Sequence, residues 1–322
     1  MKLVKKIREV SVMTIICVPN DQPTIQAGVN AANPGDVVLV KCGFYRESVV
    51  VEKNSIRIIA EEKHGVTLEA NNRGENPFSL LDVTDVEIFG FVIQNSLRGV
   101  WVYLGGFHRI IGNVMQNSGE GILLENSTGN FMYQNTIRNN DSDGVIFGWF
   151  PGSSNNWLVE NEIIENGGDG VDGWTATATG NAFINNKSVC NAQDGFVVRG
   201  QNTLVYGNHA EGNSFNGILI ADGNNSVAVN NNVKNNKYDG IEISSQSNIA
   251  YGNEVEENCQ SGIEVNGNLN IVQDNDVEEN HDDGIEINGN DNSIFGNELE
   301  GNTPQNIDNN GTNNNIFDND ND

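Results

Sequence analysis

The chain has 322 residues, with 17 Lys and Arg against 44 Asp and Glu, a formal net charge of −27. Such a chain lacks the basic surface of a nucleic-acid binder and is repelled by anionic membranes. No apolar run reaches the roughly 20 residues of a transmembrane helix. The 55 Asn and 36 Gly favour turns over helices.

Residues 1–13 are interpreted as an N-terminal extension. Four basic residues precede position 9, and the apolar stretch from Val10 to Val18 contains Ser11 and Thr14 and lacks a small-residue cleavage site. This is no convincing signal peptide, so we expect the chain to be cytoplasmic or surface-associated by a non-classical route. The four cysteines form no close pair, which predicts free thiols and neither a zinc site nor disulfides.

The segment 14–36 predicts a first strand followed by a short helix. Ile25 and Val29 lie four residues apart between Pro23 and Ala32, and Asn33-Pro34-Gly35 ends the helix. We expect this helix to cap one end of a single domain over 14–322 whose turns begin near residue 37. Further strands are predicted at Val37–Val40, Val49–Val51, Ile56–Ile59, Val66–Leu68 and Val86–Ile93.

From residue 99 a Gly followed by an apolar residue recurs every 22 to 26 residues. These anchors are Gly99, Gly121, Gly144, Gly170, Gly195, Gly217, Gly240, Gly262 and Gly284. An Asn recurs in each unit, at positions 113, 135, 161, 181, 208, 231, 253, 275, 297 and 319. A second Asn follows four or five residues later, at 117, 140, 166, 186, 213, 236, 258, 280 and 302. A period of this length in register predicts a solenoid.

Each unit holds three short apolar pieces with alternating pattern, such as Ile241 and Ile243. Three strands and three corners need about 22 residues, and successive turns then stack about 4.8 Å apart as parallel sheets. The first and third residues after each anchor Gly point inward, and the second and fourth point outward. Asn suits sharp corners and can hydrogen-bond its equivalent one turn away. We expect roughly twelve turns.

The N-terminal segment resembles that of the pectin-lyase-like superfamily. The matching residues are Pro23-Thr24-Ile25-Gln26, Pro34-Gly35-Asp36, Gly43, Tyr45 and Glu47. The resemblance implies an all-β, single-stranded right-handed parallel β-helix with a short N-terminal capping helix. It also implies action on polysaccharides, although the superfamily includes lyases, hydrolases, esterases, epimerases and non-enzymes. The catalytic motifs of polygalacturonases and of the epimerases do not occur as such, so no catalytic residue is transferred.

Both long insertions, 148–157 and 187–194, fall in the middle turns, and insertions in solenoids often build binding sites. Aromatic side chains on or beside them provide the flat apolar faces that sugar rings contact. The predicted substrate-binding residues, for a glycan ligand, are Trp101, Tyr103, Trp149, Trp157 and Trp174.

Carboxylates accompany these aromatic residues on adjoining turns. Asp143, Asp169, Asp172 and Asp194 are predicted ligands of Ca²⁺, which prefers several oxygen atoms. Arg199, Asp172 and Asp194 are the predicted catalytic residues, with Arg199 as carboxylate clamp or proton acceptor, as the resemblance to pectate lyases implies. The favoured chemistry is that of a lyase or C5-epimerase on a uronate-containing glycan, in which Ca²⁺ acidifies the proton beside the carboxylate and a base removes it.

Two alternatives remain open at this stage. Paired aspartates one or two turns apart also suit glycoside hydrolysis. Asp before Gly is also a common turn preference and recurs at Asp239 and Asp283, which favours a non-catalytic scaffold that binds glycan or protein. The stacked Glu242, Glu264 and Glu286 are interpreted as a solvated face, and His108 and His281 as surface or cap residues. A charge of −27 opposes polyuronate binding unless Ca²⁺ or a local basic patch bridges the charges.

Overall fold

A computed structural model describes residues 13–148 and 151–321. These residues form one helix and 39 short strands in a parallel β-solenoid. Of the predicted N-terminal extension, only Met13 lies within the described residues. The longest sheet has 14 strands, so the solenoid has about 14 turns and not the twelve expected from the sequence. The expected number was too low because the turns before Gly99 do not show the 22-residue period.

The helix α1 spans Ile25–Ala31. The strands are, in chain order, β1 Ile15–Val18, β2 Val37–Val40, β3 Gly43–Arg46, β4 Val49–Val51, β5 Arg57–Ala60, β6 Val66–Glu69, β7 Phe78–Leu81, β8 Glu87–Phe89, β9 Phe91–Gln94, β10 Arg98–Tyr103, β11 Arg109–Ile111, β12 Val114–Gln116, β13 Glu120–Glu125, β14 Phe131–Tyr133, β15 Thr136–Arg138, β16 Val145–Gly148, β17 Trp157–Val159, β18 Glu162–Ile164, β19 Val171–Asp172, β20 Ala182–Ile184, β21 Lys187–Val189, β22 Phe196–Val198, β23 Leu204–Tyr206, β24 His209–Glu211, β25 Ile218–Ile220, β26 Val227–Val229, β27 Asn232–Lys234, β28 Ile241–Ile243, β29 Ile249–Tyr251, β30 Glu254–Glu256, β31 Ile263–Val265, β32 Ile271–Gln273, β33 Asp276–Glu278, β34 Ile285–Ile287, β35 Ser293–Phe295, β36 Glu298–Glu300, β37 Ile307–Asn309, β38 Asn315–Phe317 and β39 Asp320–Asn321. The predicted strand 86–93 is two strands, because the chain turns a corner at Gly90, where φ is +82°.

Three parallel sheets run the length of the molecule. Sheet A contains β1, β2, β5 and every third strand to β38; sheet B contains every third strand from β3 to β39; sheet C contains every third strand from β4 to β37. The register is direct: from β10 onward, residues 22 to 26 apart in sequence lie side by side, as in Val100↔Ile122 and Ile122↔Val145, whereas in the first turns the separation ranges from 20 to 30. The backbone therefore returns to the same position once per turn, as the repeat predicts.

The core is a set of stacked columns of aliphatic and some phenylalanine side chains, with one column for each inward position of the strands. In sheet C the first and third residues after the anchor Gly are fully buried, as with Ile241 and Ile243. The anchor itself has no room for a side chain: a Cβ at Gly240 would lie 2.3 Å from Val255 Cγ1 and 2.6 Å from the carbonyl oxygen of Gly262. The periodic Gly is thus required by close approach where the chain enters sheet C.

Buried amide ladders hold the corners in register. The Oδ1 atom of Asn253 accepts two hydrogen bonds from Asn231, one from the backbone N–H at 3.0 Å and one from the side-chain Nδ2 at 2.8 Å. The same contacts repeat turn after turn. The ladder between sheets A and B contains Asn113, Asn135, Asn161, Asn186, Asn208, Asn231, Asn253, Asn275, Asn297 and Asn319.

The assignment of Asn181 to this first column was wrong: Asn186 occupies that place, and Asn181 accepts the backbone N–H of Asn156 in a ladder between sheets C and A. The second column contains Ser118 and Asn191 instead of Asn117 and Asn186. The interpretation of His108 as a surface residue was also wrong, because it is fully buried and its Nδ1 accepts the N–H of Val86 in the place of an Asn. Burial lowers the pKa of His108 to about 4.

The N-terminal motif residues hold the cap in place. The carboxylate of Glu47 accepts the first two helical N–H groups, from Ile25 at 2.9 Å and Gln26 at 3.0 Å. The Gln26 amide pairs with both backbone groups of Val50, and Asp36 accepts the N–H groups of Thr14 and Asn33. Several residues of the N-terminal motif therefore form hydrogen bonds that hold α1 and the first strand on the first turns.

We expect Asn253→Ala to lower the free energy of unfolding by at least about 2 kcal/mol, because several buried polar groups lose their partners at about 1–3 kcal/mol each. Thermal and denaturant unfolding followed by circular dichroism measures this change. Gln260→Ala, which truncates an exposed amide on the same turn, is the control and should change stability by less than about 0.5 kcal/mol. Equal effects of the two variants would contradict the ladder's role.

Candidate functional site

The outer face of sheet C carries a continuous column of side chains at the second position after each anchor. Register places in this column Trp101, Leu123, Ile146, Asp172, Val197, Leu219, Glu242, Glu264, Glu286 and Asp308. The middle of the column differs from the expected solvent-facing surface, since Leu123, Ile146 and Val197 are buried. Asp172 lies between Ile146 and Val197 in this buried stretch.

Asp172 is a buried carboxylate with an unsatisfied oxygen. Only 3% of the residue is exposed, and its Oδ1 atom has no hydrogen-bond partner. The nearest cation is Arg199, whose Nε lies 3.9 Å from that oxygen. Burial and the charge of Asp143 raise the pKa of Asp172 to about 6, against the opposing effect of Arg199. At neutral pH the group is therefore ionised and more basic than an ordinary carboxylate.

Arg199 connects Asp172 to a surface cavity. Its Nη1 lies 3.7 Å from Oδ2 of Asp222, and neither this contact nor the one to Asp172 is short enough to be a hydrogen bond. Trp174, with 52% of its surface exposed, lines a cavity of about 330 Å³ together with Arg199 and Asp222. The cavity thus combines an indole face, a guanidinium whose donors make no hydrogen bond within the described chain, and an exposed carboxylate.

A second cavity adjoins the first. It has a volume of about 320 Å³, contains Asp222 in its wall, and continues along the same edge of sheet C past Ser244 and Gln246 to Asn266 and Asn268. Sequence reasoning missed Asp222, since it lies just after β25 in a corner whose geometry the repeat pattern does not specify. Its proximity to Arg199, which is on the preceding turn, becomes visible only when adjacent turns are stacked.

The aspartates that precede the anchor glycines form a ladder of their own. The Oδ1 atom of Asp143 accepts the N–H of Asp169 at 2.6 Å, that of Asp169 accepts the N–H of Asp194 at 2.8 Å, and that of Asp194 accepts the N–H of Asn216 at 2.7 Å. Burial raises the pKa of Asp169 to about 8 and that of Asp194 to about 6. Asp194 precedes β22 and Arg199 follows it, so the two lie at opposite ends of the strand.

These contacts do not suit the predicted Ca²⁺ ligands. Three of the four carboxylates already accept a backbone N–H with one oxygen. Among the described residues, the group of three whose ligand oxygens all lie within 4.8 Å of one another is a different one, Asp239, Glu242 and Glu264. We therefore derive no chemical step through Ca²⁺ at Asp143, Asp169, Asp172 and Asp194.

The remaining predicted aromatic residues lie away from the cavity. Trp101 and Tyr103 are on sheet C, three turns before Asp172, with ring centroids 5.7 Å apart, and Trp101 Nε1 donates to the Glu125 carboxylate. Trp157 is on sheet A, between Phe131 and Ala182, and so faces another side of the molecule. Trp149 lies outside the described residues. Of the predicted site residues, the structure brings together Trp174, Arg199 and Asp172.

Comparison with known proteins identifies the class of protein. The family model described as "right handed beta helix region" matches residues 49–233, 149–270 and 175–322, and the chain belongs to this family. Within the described residues, the single helix is too short to span a bilayer.

A curated relative is a cell surface glycoprotein of Methanothermus fervidus, 26% identical over 151 residues. The match covers 38% of this chain and 26% of that protein, so the chain spans about a quarter of its relative's length.

Several solved structures share the fold. The A-module of the mannuronan C-5 epimerase AlgE6 of Azotobacter vinelandii has a TM-score of 0.64 at 15% identity, over 92% of this chain and 93% of that one. The Dettilon tailspike protein gives 0.71 at 13% identity, over 88% and 67%. The catalytic domain of a GH87 alpha-1,3-glucanase in complex with nigerose gives 0.62 at 12% identity, over 95% and 66%. At these identities the likeness shows the fold alone.

The pKa of Asp239 provides a test of the corner ladder. Burial, Glu264 and Glu242 raise that pKa from 3.8 to about 8. The folded chain then retains a proton that the unfolded chain releases, so the free energy of unfolding falls as pH rises from about 4 to about 8. Asn fits this column, because the equivalent residue one turn earlier is Asn216, whose Oδ1 accepts the N–H of Asp239 at 3.0 Å. Asp239→Asn should therefore be more stable than the wild type at pH 8 by at least about 1.4 kcal/mol, with a smaller difference at pH 5.

Thermal unfolding at both pH values measures this difference. Asp291→Asn, which removes the same charge from an exposed corner, is the control for net charge. A gain in Asp239→Asn that is equal at pH 5 and pH 8 would contradict the assigned proton.

Proposed function

We propose that the protein binds and acts on a uronate-containing polysaccharide at the edge of sheet C. The observation that carries the proposal is the position of Arg199, which lies between Asp172 and Asp222 without a hydrogen bond to either and lines a cavity together with Trp174. A guanidinium next to an indole suits a sugar ring with a carboxylate, because the ring stacks on the indole and the carboxylate accepts two parallel N–H bonds.

The favoured chemistry is that of a lyase or C5-epimerase. Removal of the proton next to the uronate carboxylate places negative charge on that carboxylate, and Arg199 stabilises the charge. The candidate proton acceptor is Asp172, whose pKa of about 6 gives it useful basicity at neutral pH. The guanidinium lies 3.9 Å from Asp172 Oδ1, so a uronate carboxylate bound to Arg199 would lie close to this proton acceptor.

Hydrolysis by paired aspartates is less well supported by the geometry. Asp169 and Asp194 each use one carboxylate oxygen to accept a backbone N–H of the next turn. A catalytic pair needs both groups to face the sugar from opposite sides of the scissile bond. The corner aspartates instead form a column along the solenoid, which favours a structural role for them.

A non-catalytic glycan-binding scaffold is the second candidate. The turns after β25 repeat with almost the same spacing and contacts, and the partial similarity to a cell surface glycoprotein is compatible with display at a surface. Under this proposal the Arg199 cavity binds the polysaccharide but leaves it unchanged. Localisation at the cell surface is part of this proposal.

We expect Trp174→Ala to weaken binding of a uronate-containing oligosaccharide about tenfold, corresponding to about 1.4 kcal/mol, because the stacking face is lost. Isothermal titration calorimetry against a panel of polysaccharide fragments measures the affinity. Trp157→Ala is the matched control, since it removes an indole of similar exposure from sheet A. Equal affinities of the two variants would place the glycan elsewhere.

The double variant Arg199→Ala/Asp172→Ala separates the two candidates. If the protein is an enzyme, the variant should form no product, measured as ultraviolet absorbance of unsaturated ends or as inversion at C5 by NMR. If the wild type binds the same glycan and forms no product with or without added Ca²⁺, the scaffold proposal stands and the enzymatic one is wrong.

A further inference from the structure

We infer that Asp222 determines specificity: the groove accepts a polysaccharide in which anionic residues alternate with uncharged ones and discriminates against a homopolyuronate. This inference rests on the proposed function and narrows its substrate class. It concerns a residue that the sequence pattern did not indicate, at the junction of the two cavities on the edge of sheet C.

The two cavities form one groove because they share Asp222. The first contains Trp174 and Arg199, and the second is reached past Asp222 along the following turns to Asn266. From the turn of β19 to that of β31 there are four strand spacings, roughly 19 Å at about 4.8 Å each. A ligand that occupies both cavities is therefore an oligomer that lies along the solenoid axis, and successive sugar residues meet different side chains.

The charges along this groove are unevenly distributed. Arg199 is the only Lys or Arg that lines either cavity among the described residues. The second cavity presents hydroxyls and amides, from Ser244, Ser245, Gln246, Asn266 and Asn268. Such groups form hydrogen bonds with sugar hydroxyls and carry no charge to offset a carboxylate.

Further acidic groups border the second cavity. Asn266 Nδ2 lies 3.4 Å from Glu242 Oε1, and the hydroxyl of Ser244 donates to the same carboxylate. Asp222 itself is 61% exposed at its side chain, with its carboxylate directed to Arg199 at 3.7 Å. A uronate next to the one bound at Arg199 would therefore meet Asp222 and Glu242. Arg199, the one Lys or Arg among the described lining residues, would already bind the first uronate, so the repulsion between like charges reduces affinity.

An uncharged glycan is also disfavoured. It leaves the guanidinium of Arg199 with no anionic acceptor other than the two carboxylates that already flank it at 3.9 Å and 3.7 Å. Specificity then arises from attraction at Arg199 and from repulsion at Asp222 and beyond, which is the usual combination at selective sites. The ligand class that meets both conditions has an uncharged residue next to each uronate, so that a uronate bound at Arg199 has no charged neighbour at Asp222.

The test compares three tetrasaccharides by isothermal titration calorimetry at low salt: a mannuronan fragment as homopolyuronate, a hyaluronan fragment as alternating uronate and uncharged sugar, and a chitin fragment as neutral glycan. We expect the wild type to bind the hyaluronan fragment at least tenfold more tightly than either of the others. Asp222→Asn should raise affinity for both uronate-containing fragments, because it removes a negative charge beside Arg199, and the rise for the mannuronan fragment should be at least about fivefold larger than that for the hyaluronan fragment. Raising the salt concentration should reduce the wild-type preference, because screening weakens the repulsion.

Asp282→Asn is the matched control, because it removes one exposed carboxylate from the opposite corner of sheet C and leaves the groove unchanged. The inference is overturned if the mannuronan fragment binds the wild type as tightly as the hyaluronan fragment, or if Asp222→Asn and Asp282→Asn alter the preference equally. The proposed function fails separately if none of the fragments binds or if Trp174→Ala leaves every affinity unchanged, and the inference then fails with it.

Discussion

The structure depends on one requirement: the backbone of every turn must lie directly over that of the turn before. A corner cannot satisfy its N–H groups within its own turn, and an unsatisfied buried N–H is costly. An Asn at each corner solves this problem. Its side-chain oxygen accepts the backbone N–H of the equivalent Asn in the preceding turn, and its own backbone N–H donates to the side-chain oxygen of the Asn in the next turn. The regular spacing of Asn and the high Asn content follow from that contact, and the periodic Gly follows from the close approach of adjacent turns that the same stacking imposes.

The candidate site arises where this regularity is interrupted. In the turns of β16 to β22 the outer column of sheet C is aliphatic and buried, and one carboxylate, Asp172, takes a place within it. The same turns carry the longest corners, so that Trp174 and Arg199 can be presented beside a cavity. In the last turns the column is acidic and the corners are short. The irregular turns therefore provide the candidate functional side chains, and the regular turns around them fix where those side chains lie.

The sequence predicted the solenoid, its sheets and its capping helix because these depend on local patterns that recur in register. It also placed Trp174, Arg199 and Asp172 together, since their offsets from consecutive glycines put them on one edge. It could not place Asp222, whose position depends on the conformation of a corner, nor separate Trp157 from the cavity, because the insertion before it hides which sheet follows. The count of turns failed for a related reason: the strands before Gly99 fold into full turns without showing the period.

The near-identity of the final turns has a consequence for how such a chain can change in length. Each turn from β28 onward offers its successor the same strand edges and the same amide acceptors that it received. Tandem duplication or loss of one 22-residue segment would therefore lengthen or shorten the rod by one step while the Arg199 cavity keeps its surroundings. The turns after β31 therefore act as a spacer whose length can change without altering the groove that Arg199 and Asp222 line.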